Sequence, residues 1–564
     1  MAPGTPVGSR PPSGSRPSSG SRPSSRPPSR ARRRPLTPTK GKRDVVGTVG
    51  SASWTSSVIN LLNTIVGAGV LAMPLAMARM GIVLGVIVIL WAGLTAGFGL
   101  YLQTLCAAYL ERGSSSFFAL SQISYPNAAI IFDAAIAIKC FGVGVSYLII
   151  IGDLMPGVVL GLTTADGLPP FLTDRHFWVT AFMLVVIPLS YLRRLDSLKY
   201  TSVIALISIG YLVILVVYHF AAGDTLPSGH YETPLRIFGW AGPVAALSSF
   251  PVIVFAYTCH QNMFSILNEI GNNSPFRTTT VVVASVGTAG FIYILVAITG
   301  YLSFGNEVGG NIVAQYAPSI SATVGRAAIV VLVMFSYPLQ VHPCRASVDA
   351  VLKWRPSRSL KDRLRPSASR TPSSVRSLHD SSSPARDVPL LPTGKKRSSE
   401  MSETRFAAIT TLIIVLSYIV AMTVSSLEAV LAYVGSTGST SISFILPGLF
   451  YYKISSPDNP LHQKLLKEED DYDYEYDSDD SDNIADAESR RHSGRSIDSD
   501  HPDAAAEGLL SNSGFLSLSS RSLLRRTRHF RRRLLRRLAL ALSIYGVVVM
   551  VTCLTMNTFF IAAH

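Results

Sequence analysis

Cysteine is scarce in this chain, which has five in 564 residues: Cys106, Cys140, Cys259, Cys344 and Cys553. All five lie within or at the ends of apolar segments, and their number is odd. Small extracellular domains that depend on disulfides usually carry even sets of cysteines at regular spacing. The sequence therefore predicts no disulfide framework.

Motifs of enzymatic chemistry are also missing from the sequence. It has no Gly-Lys-Ser/Thr phosphate-binding loop, so we expect no coupling to ATP within this chain. It has no zinc-type spacing and no Ser-His-Asp signature, and its linkers leave no room for a folded catalytic domain. We predict a protein that is not an enzyme and that uses no cofactor and no metal.

Charged residues make up only 15% of the chain, whereas hydrophobic residues make up 48% and the mean hydropathy is +0.33. The apolar residues occur in blocks, each near or above the roughly 20 residues that cross a bilayer, and the fourth block is short. This pattern predicts an all-α polytopic membrane protein with 11 transmembrane helices. The candidate helices cover about 54–78, 81–110, 128–160, 176–193, 199–222, 240–270, 278–304, 321–352, 404–425, 427–452 and 537–562.

The basic residues are unevenly distributed between the loops. The formal net charge is +15, but the arginines and lysines cluster in the N-terminal tail and in the fourth, eighth and tenth connections, beside the membrane. This placement gives no reason to expect a nucleic acid partner. Under the positive-inside rule it predicts a cytosolic N-terminus and, after an odd number of spans, a luminal C-terminus at His564.

Composition divides the chain into membrane and linker segments. The tail, the loop and the linker named below are poor in apolar residues, so we predict that they are disordered and cytosolic. The predicted segments are a basic tail at 1–50, helices 1–8 at 51–352, a loop at 353–401, helices 9–10 at 402–454, an acidic then basic linker at 455–536, and helix 11 at 537–564.

Two classes of partner follow from these segments. The basic residues 521–537 lie next to the cytosolic leaflet, where each Lys or Arg gains about 1 kcal/mol from anionic lipids. A plain topology signal is the simpler interpretation of the same charges. The tails are also suited to binding cytosolic regulators.

Two hydrophobic segments are interrupted by helix breakers near their middles. Trp54–Met77 contains Gly67-Ala68-Gly69, and Trp240–Ile270 contains Pro251 followed by the polar stretch 257–262. Broken backbone at membrane depth persists only where protein or a ligand satisfies its polar groups. The two segments each lead a set of five helices, which predicts a five-plus-five inverted repeat with broken helices 1 and 6, an eleventh helix, and a substrate site at the midplane.

The residue types at the two breaks suit the two ends of a free amino acid. Backbone amides freed at the first break favour a carboxylate, and carbonyls freed at the second favour an ammonium group that aromatic rings would cover. Small-residue packing and a buried tyrosine contact are the alternative interpretations. The predicted substrate contacts are Thr64, Gly67, Ala68, Gly69, Phe255, Ala256, Tyr257 and Thr258.

Three further residues are candidates for ion coupling. His260 follows the second break and titrates near physiological pH, although a neutral histidine bonded to a neighbour is equally consistent with the sequence. Ser336 precedes Pro338 in the eighth helix, where its hydroxyl would bind an ion or satisfy a carbonyl freed by the kink. Asn63 lies one turn before the first break and offers an extra oxygen ligand.

Three stretches resemble a known transporter family. Residues 57–74, SVINLLNTIVGAGVLAMP, are similar to the opening helix of the amino acid/auxin permease family. Residues 143–156 and 257–269 resemble fungal vacuolar amino acid transporters and the related sodium-coupled neutral amino acid transporters. The resemblance covers the membrane spans and leaves the tails unexplained. It implies the five-plus-five fold and secondary active transport of amino acids.

The resemblance also bears on the coupling ion. In the sodium-coupled relatives an asparagine on the first helix and a threonine on the eighth contribute to the cation site, and these correspond to Asn63 and Ser336 here. Serine has the same hydroxyl group as the threonine of these relatives, so sodium is not excluded as the coupling ion. The fungal vacuolar members imply proton-linked movement, and Lys139 is a candidate to hold an acidic substrate side chain.

The leading hypothesis is a proton-coupled amino acid transporter of the vacuolar membrane that works by alternating access. One alternative is an amino acid sensor on the same membrane, in which the same pocket binds ligand and the long cytosolic segments recruit partners. A second alternative is a sodium-coupled transporter of the plasma membrane. The expected small-molecule partners are therefore an amino acid and protons, with sodium as the other candidate ion.

Overall fold

A computed structural model describes residues 50, 52–163, 168–192, 201–225, 233–353, 401–467 and 507–562. The predicted tail 1–50, except its last residue, lies outside the described residues. So do nearly all of the predicted loop 353–401 and the acidic part of the predicted linker 455–536.

The described residues are helical, with no strand among them beyond one isolated bridge between Ala52 and Ile270. The helices are α1 (Trp54–Ile65), α2 (Met73–Met80), α3 (Ile82–Ala107), α4 (Phe117–Ser124), α5 (Ala129–Leu162), α6 (Arg175–Ser190), α7 (Thr201–Ala222), α8 (Pro243–Ala256), α9 (His260–Glu269), α10 (Pro275–Phe304), α11 (Ile312–Gln315), α12 (Ile320–Lys353), α13 (Glu403–Thr423), α14 (Leu427–Val434), α15 (Leu446–Ile454) and α16 (Glu507–Ala562).

Nine helical spans among the described residues are long and apolar enough to cross a membrane. Helix α1 and the segment Ala68–Met80, which contains α2, together make a tenth, bent by 48° at its break. An all-α polytopic membrane protein is therefore confirmed. The predicted count of eleven depends on α6, whose 16 residues make it shorter than the other spans.

The first break lies at the glycines that the sequence pattern indicated. Helix α1 ends at Ile65, Val66 is extended, Gly67 is neither helical nor regularly extended, and a 3₁₀ turn, Ala68–Ala72, leads into α2. Glycine loses the most backbone entropy in a helix, so Gly67 and Gly69 favour an interruption here. The chain between α1 and α2 therefore has backbone groups outside a regular helix.

The second break falls between α8 and α9. Helix α8 ends at Ala256, and Tyr257, Thr258 and Cys259 precede α9. Pro251 lies inside α8 rather than at the break. A proline removes one backbone hydrogen bond, and here the helix continues through it, so the polar stretch marks the break.

A third irregular segment lies in the tenth span. Residues 435–439 and 441–445 form two π-helical turns between α14 and α15. Their sequence, from Gly435 to Ser443, contains glycine, serine and threonine with a single isoleucine. π-helical turns are rare and often occur at functional sites, and our sequence analysis did not single out this one.

The last helix is longer than the sequence predicted. We expected disorder over 455–536 and a helix from 537, whereas residues 460–467 are helical and α16 begins at Glu507. The leucines and arginines between 515 and 537 are good helix formers. Composition that is poor in apolar residues therefore did not prevent helix formation in this part of the linker.

Candidate functional site

The two broken helices meet directly at Gly69 and Ala256. A Cβ atom added to Gly69 would lie 2.6 Å from the Ala256 Cβ, so only glycine allows this approach. Gly67 differs, because a Cβ added there would meet no atom within 4 Å. The packing interpretation thus applies to Gly69, whereas Gly67 faces open space.

Tyr293 of α10 joins the ends of both half-helices. Its hydroxyl lies 2.7 Å from the Ile65 carbonyl oxygen and 2.8 Å from the Ala256 carbonyl oxygen. These are the last residues of α1 and α8, where helix carbonyls lack intrahelical partners and the helix dipole is negative. One hydroxyl has one hydrogen, so the two carbonyls share a single donor. This carbonyl pair is suited to an ammonium group.

The aromatic ring of Tyr257 packs between helices. The ring is 1% exposed, and its centroid lies 5.1 Å from that of Tyr293 in an edge-on arrangement. A Cβ added to Gly93 or to Gly290 would come within about 3.1 Å of its phenol end. Two glycines on neighbouring helices therefore make the slot for this ring, and a role over the substrate stays a prediction.

The remaining predicted substrate residues lie around the two breaks. Ala68 and Phe255 are buried. Thr258 donates its hydroxyl to the Val254 carbonyl at 2.8 Å and accepts one from Ser443 of the second π turn at 3.2 Å. Thr64 accepts a hydrogen bond from the Asn262 amide at 3.2 Å. The half-helices α1 and α9 are therefore also in contact.

The two residues expected at a cation site are not joined by any contact described in the structure. The Asn63 side-chain oxygen is buried and, within the described residues, has no hydrogen-bond partner. Ser336 donates its hydroxyl to the Leu332 carbonyl of its own helix at 2.7 Å. Asn63 therefore has a free oxygen for a cation, while Ser336 satisfies a backbone group.

His260 is fully buried at the start of α9. Its Nε2 atom lies 3.1 Å from the Ala96 carbonyl oxygen, which only accepts, so Nε2 carries the hydrogen. Its Nδ1 atom has no partner among the described residues. His260 therefore donates to a backbone carbonyl, and its role in proton coupling stays a prediction.

The π turns contact the predicted site and Lys139. Gly438 packs on α5, and a Cβ added to it would lie 2.8 Å from both the amide nitrogen and the Cβ of Lys139. Lys139 is 4% exposed and lies on the third span. The sequence did not predict this contact, because it joins two spans that are far apart along the chain.

An ion pair and a cavity lie near Met80, at the end of the first broken helix that is opposite Trp54. We call this end the Met80 side of the protein and the other the Trp54 side. Arg79 forms a two-pronged pair with Glu428 of α14 and donates to the Ser249 hydroxyl at 3.3 Å. A mainly apolar cavity of about 690 Å³ adjoins this pair, between α5, α13 and α14. Neither charged residue was identified from the sequence, because both lie at span ends where charges are ordinary.

The similarity to known proteins covers most of the membrane-spanning part of the chain. The family model described as "Transmembrane amino acid transporter protein" matches residues 50–469. Vacuolar amino acid transporter 5 of Schizosaccharomyces pombe is 44% identical over 73% of this chain and 88% of its own length. Vacuolar amino acid transporters 6 and 5 of Saccharomyces cerevisiae are each 40% identical, over 74% and 71% of this chain and 94% and 88% of their own lengths.

These matches confirm the resemblance that the sequence motifs carried. The matched residues include both breaks, Tyr293 and the π turns. The chain is therefore a multi-pass membrane transporter rather than an enzyme, and it belongs to the transmembrane amino acid transporter family.

Proposed function

We propose that this protein is a proton-coupled secondary active transporter that moves amino acids across the vacuolar membrane by alternating access. The observation that carries the proposal is the carbonyl pair of Ile65 and Ala256, held under one tyrosine hydroxyl where two broken helices meet. Three relatives that are 40–44% identical are named vacuolar amino acid transporters, which supports the substrate class and the membrane.

The two breaks supply complementary groups for a zwitterion. The negative ends of α1 and α8 would hold the substrate ammonium at the Ile65 and Ala256 carbonyls. Backbone amides at the start of the 3₁₀ turn, Ala68 and Gly69, would hold the carboxylate, since helix N-termini favour anions. The open space beside Gly67 leaves room for the substrate Cα. Tyr257 and Phe255 would then cover the side chain.

The geometry also supports alternating access. On the Met80 side, Ala68–Ala72 and most of α2 are buried, and the Arg79–Glu428 pair ties α2 to α14. On the Trp54 side, Asn262 and Ser265 of α9 are exposed. This asymmetry is expected of a transporter closed on one side of its site. A bundle of the first, second, sixth and seventh spans would rock against the others to reverse it.

The proposed orientation follows from the loop charges. It places the N-terminus in the cytosol, the C-terminus in the lumen, and the closed Met80 side towards the lumen. Asn63 and Ser336 stay the candidates for a cation, and His260 for a proton. Sodium coupling at the plasma membrane is the less favoured variant, because the three relatives that are 40–44% identical are named vacuolar amino acid transporters.

The proposed lipid partner lies at the cytosolic end of α16. Arg531 donates to the Tyr101 hydroxyl at 3.4 Å, and Arg536 donates to the Tyr452 carbonyl at 3.3 Å. These bonds attach the basic end of the helix to the membrane bundle, where anionic headgroups would gather around 521–537. We also propose that the cytosolic tails bind regulatory proteins.

The test of this function is flux in reconstituted liposomes. The purified full chain is assayed with a panel of radiolabelled amino acids, under an imposed pH gradient and separately under a sodium gradient. We expect accumulation that follows the pH gradient and needs no sodium. Folded protein that binds amino acids without moving them, under either gradient, would overturn the proposal in favour of a sensor.

A further inference from the structure

His219, near the end of α7, is bonded to groups on both of its ring nitrogens. Its Nδ1 atom lies 2.9 Å and 2.8 Å from the two carboxylate oxygens of Asp224, and its Nε2 atom lies 3.4 Å from the Ser321 hydroxyl of α12. The His219 side chain is 5% exposed, whereas that of Asp224 is 46% exposed. The pair therefore connects a buried imidazole to the aqueous boundary.

The hydrogen-bond directions depend on the charge of this imidazole. A carboxylate only accepts, so Nδ1 carries a hydrogen in both states. In the neutral ring Nε2 is bare and accepts from the Ser321 hydroxyl. When a proton from solvent adds to Nε2, this atom becomes a donor and the Ser321 hydroxyl must turn to another acceptor. The Ser319 hydroxyl, 3.1 Å away, is the neighbour that can take it.

The ring of His219 also stacks on Tyr316, with centroids 4.4 Å apart and planes at 24°. Tyr316 follows α11, whose last carbonyls accept hydrogen bonds from Arg326 of α12 at 3.2 and 3.3 Å. A protonated imidazole is attracted to a tyrosine face as well as to a carboxylate. Protonation of His219 would thus strengthen the attachment of this corner, α11 with Tyr316, to α7 and α12.

Helix α11 connects this corner to the first broken helix. It contacts the 3₁₀ turn Ala68–Ala72, which we propose holds the substrate carboxylate. Ile312 of α11 and Pro74 of α2 pack against the same residue, Gly300 of α10. Movement of α11 would therefore change the packing around the second half of the broken helix.

We propose that the His219–Asp224 pair is a proton-binding site that couples pH on the Met80 side to closure of α11 over the substrate site. The proposal rests on the proposed function, because it supplies the residue through which a proton gradient would act. Protonation closes the Met80 side, so acid there favours release on the opposite side.

The groups that face His219 come from its own helix and from the elements packed against that helix. Its own helix contributes Tyr218, whose ring centroid lies 5.3 Å away, and the segment after the helix contributes Asp224. Tyr316 faces it from the α11 corner, and α12 contributes a serine hydroxyl and, beyond Tyr316, Arg326. Helices α1 and α10 also contact α7; α1 has no titratable side chain, and near the end of α10 the Tyr301 hydroxyl is hydrogen-bonded to the Arg236 amide and to Asn306. Of these side-chain types, only an unperturbed imidazole changes charge between about pH 5 and 8.

His219 differs from His260 in access to protons. His260 is fully buried and has a backbone carbonyl as its partner, whereas His219 has a half-exposed carboxylate. A proton reaches His219 from water through Asp224. The sequence did not favour it, because its partner lies in the following loop rather than in a recognisable motif.

The test is the pH profile of transport in proteoliposomes, with the pH on each side of the membrane varied separately. We expect wild-type flux to rise by about tenfold as the pH on the His219 side falls through the histidine range. His219→Gln keeps two hydrogen-bonding atoms without the titration and should lose that rise. Asp224→Asn should reduce it.

The matched control is His176→Gln. His176 forms a similar pair with Asp174, at 3.1 Å, but both side chains are about half exposed and neither belongs to the α11 corner. Its pH profile should equal that of wild type. A His219→Gln profile superimposable on wild type overturns this inference, whereas absence of gradient-driven flux in wild type overturns the proposed function. Amino acid exchange at constant pH, retained by His219→Gln, shows that the variant is folded.

Discussion

The Tyr293 hydroxyl serves two carbonyl oxygens with one hydrogen, so we expect its removal to act mainly on the empty transporter. In Tyr293→Phe both carbonyls lose their donor, at a cost of about 1–3 kcal/mol for a buried polar group left unpaired. A bound ammonium would replace the missing donor. Thermal unfolding of the purified variant should therefore show a lower melting temperature without substrate, and a larger rise on adding substrate than wild type shows.

Tyr301→Phe is the matched control for Tyr293. Tyr301 lies on the same helix and is equally buried, but its hydroxyl accepts from the Arg236 amide and donates to Asn306, away from the breaks. Its loss should lower the melting temperature with no extra gain from substrate. An equal substrate gain in both variants would contradict ammonium binding at the Ile65 and Ala256 carbonyls.

The two glycines of the first break should respond differently to alanine. Gly67→Ala places a methyl group in open space and should keep uptake within about twofold of wild type. Gly69→Ala forces a methyl group onto Ala256, and overpacking of this kind costs about 1–3 kcal/mol. Gly67→Leu should abolish uptake by filling the space while expression is retained. Uptake and membrane expression, measured together, distinguish these outcomes.

A Gly67→Leu variant that transports normally would contradict the site at this break. Sequence alone grouped Gly67 with Gly69, because both are simply glycines in a span. The different contacts of the two residues depend on the position of Ala256 in the sixth span, which no local pattern gives. Tyr293 was missed for the same reason, since it lies in an unbroken helix.

The pair of Arg79 and Glu428 acts between elements, because it links α2 to α14 beside the cavity. Both side chains are about one-fifth exposed, so we expect a coupling energy of about 1–2 kcal/mol, between the values for exposed and buried pairs. A double-mutant cycle with Arg79→Gln and Glu428→Gln, read by thermal unfolding, measures it.

The same two variants should also alter the conformational balance. Without the pair, the Met80 side should open more often, and a cysteine placed at Ala429, which lines the cavity, should react faster with a polar thiol reagent. The five native cysteines are all buried and provide the background rate. If the cysteine at Ala429 reacts equally fast with and without the Glu428→Gln substitution, the Arg79–Glu428 pair does not hold the Met80 side closed.

The elements themselves were largely predictable. Apolar run length predicted the spans, the glycines predicted the first interruption and the polar stretch 257–262 predicted the second, because those signals are local in sequence. The π turns of residues 435–445 were not predicted, since a wider helical turn leaves no mark in a pattern of small polar residues. The start of α16 was also missed, because composition suggested disorder where helix propensity is in fact high.

For the whole molecule, the side on which each terminus lies depends on one helix. Helix α6 has 16 residues, which span about 24 Å, less than the roughly 30 Å of a bilayer core. If it crosses, the spans number eleven and the termini lie on opposite sides; if it does not, they number ten and the termini share a side.

Loop charge favours a crossing α6. The tail 1–50 and the loop 353–401 are both basic, and the positive-inside rule places both in the cytosol. Two segments lie on the same side only if an even number of spans separates them. With α6 there are eight spans between them, and without it there are seven. We therefore expect α6 to cross, with local bilayer thinning compensating for its length.

Protease protection in intact vacuoles tests this arrangement. Epitope tags are placed at the N-terminus, within the loop 353–401 and after His564, in three separate full-length proteins. We expect added protease to remove the first two tags and to leave the third until detergent opens the vacuole. The loop tag is the internal control. The loop lies after α6 and before α16, so its side of the membrane depends on whether α6 crosses and not on α16. Protection of the loop tag with loss of the N-terminal tag would show that α6 does not cross, and would reverse the proposed orientation of every later span.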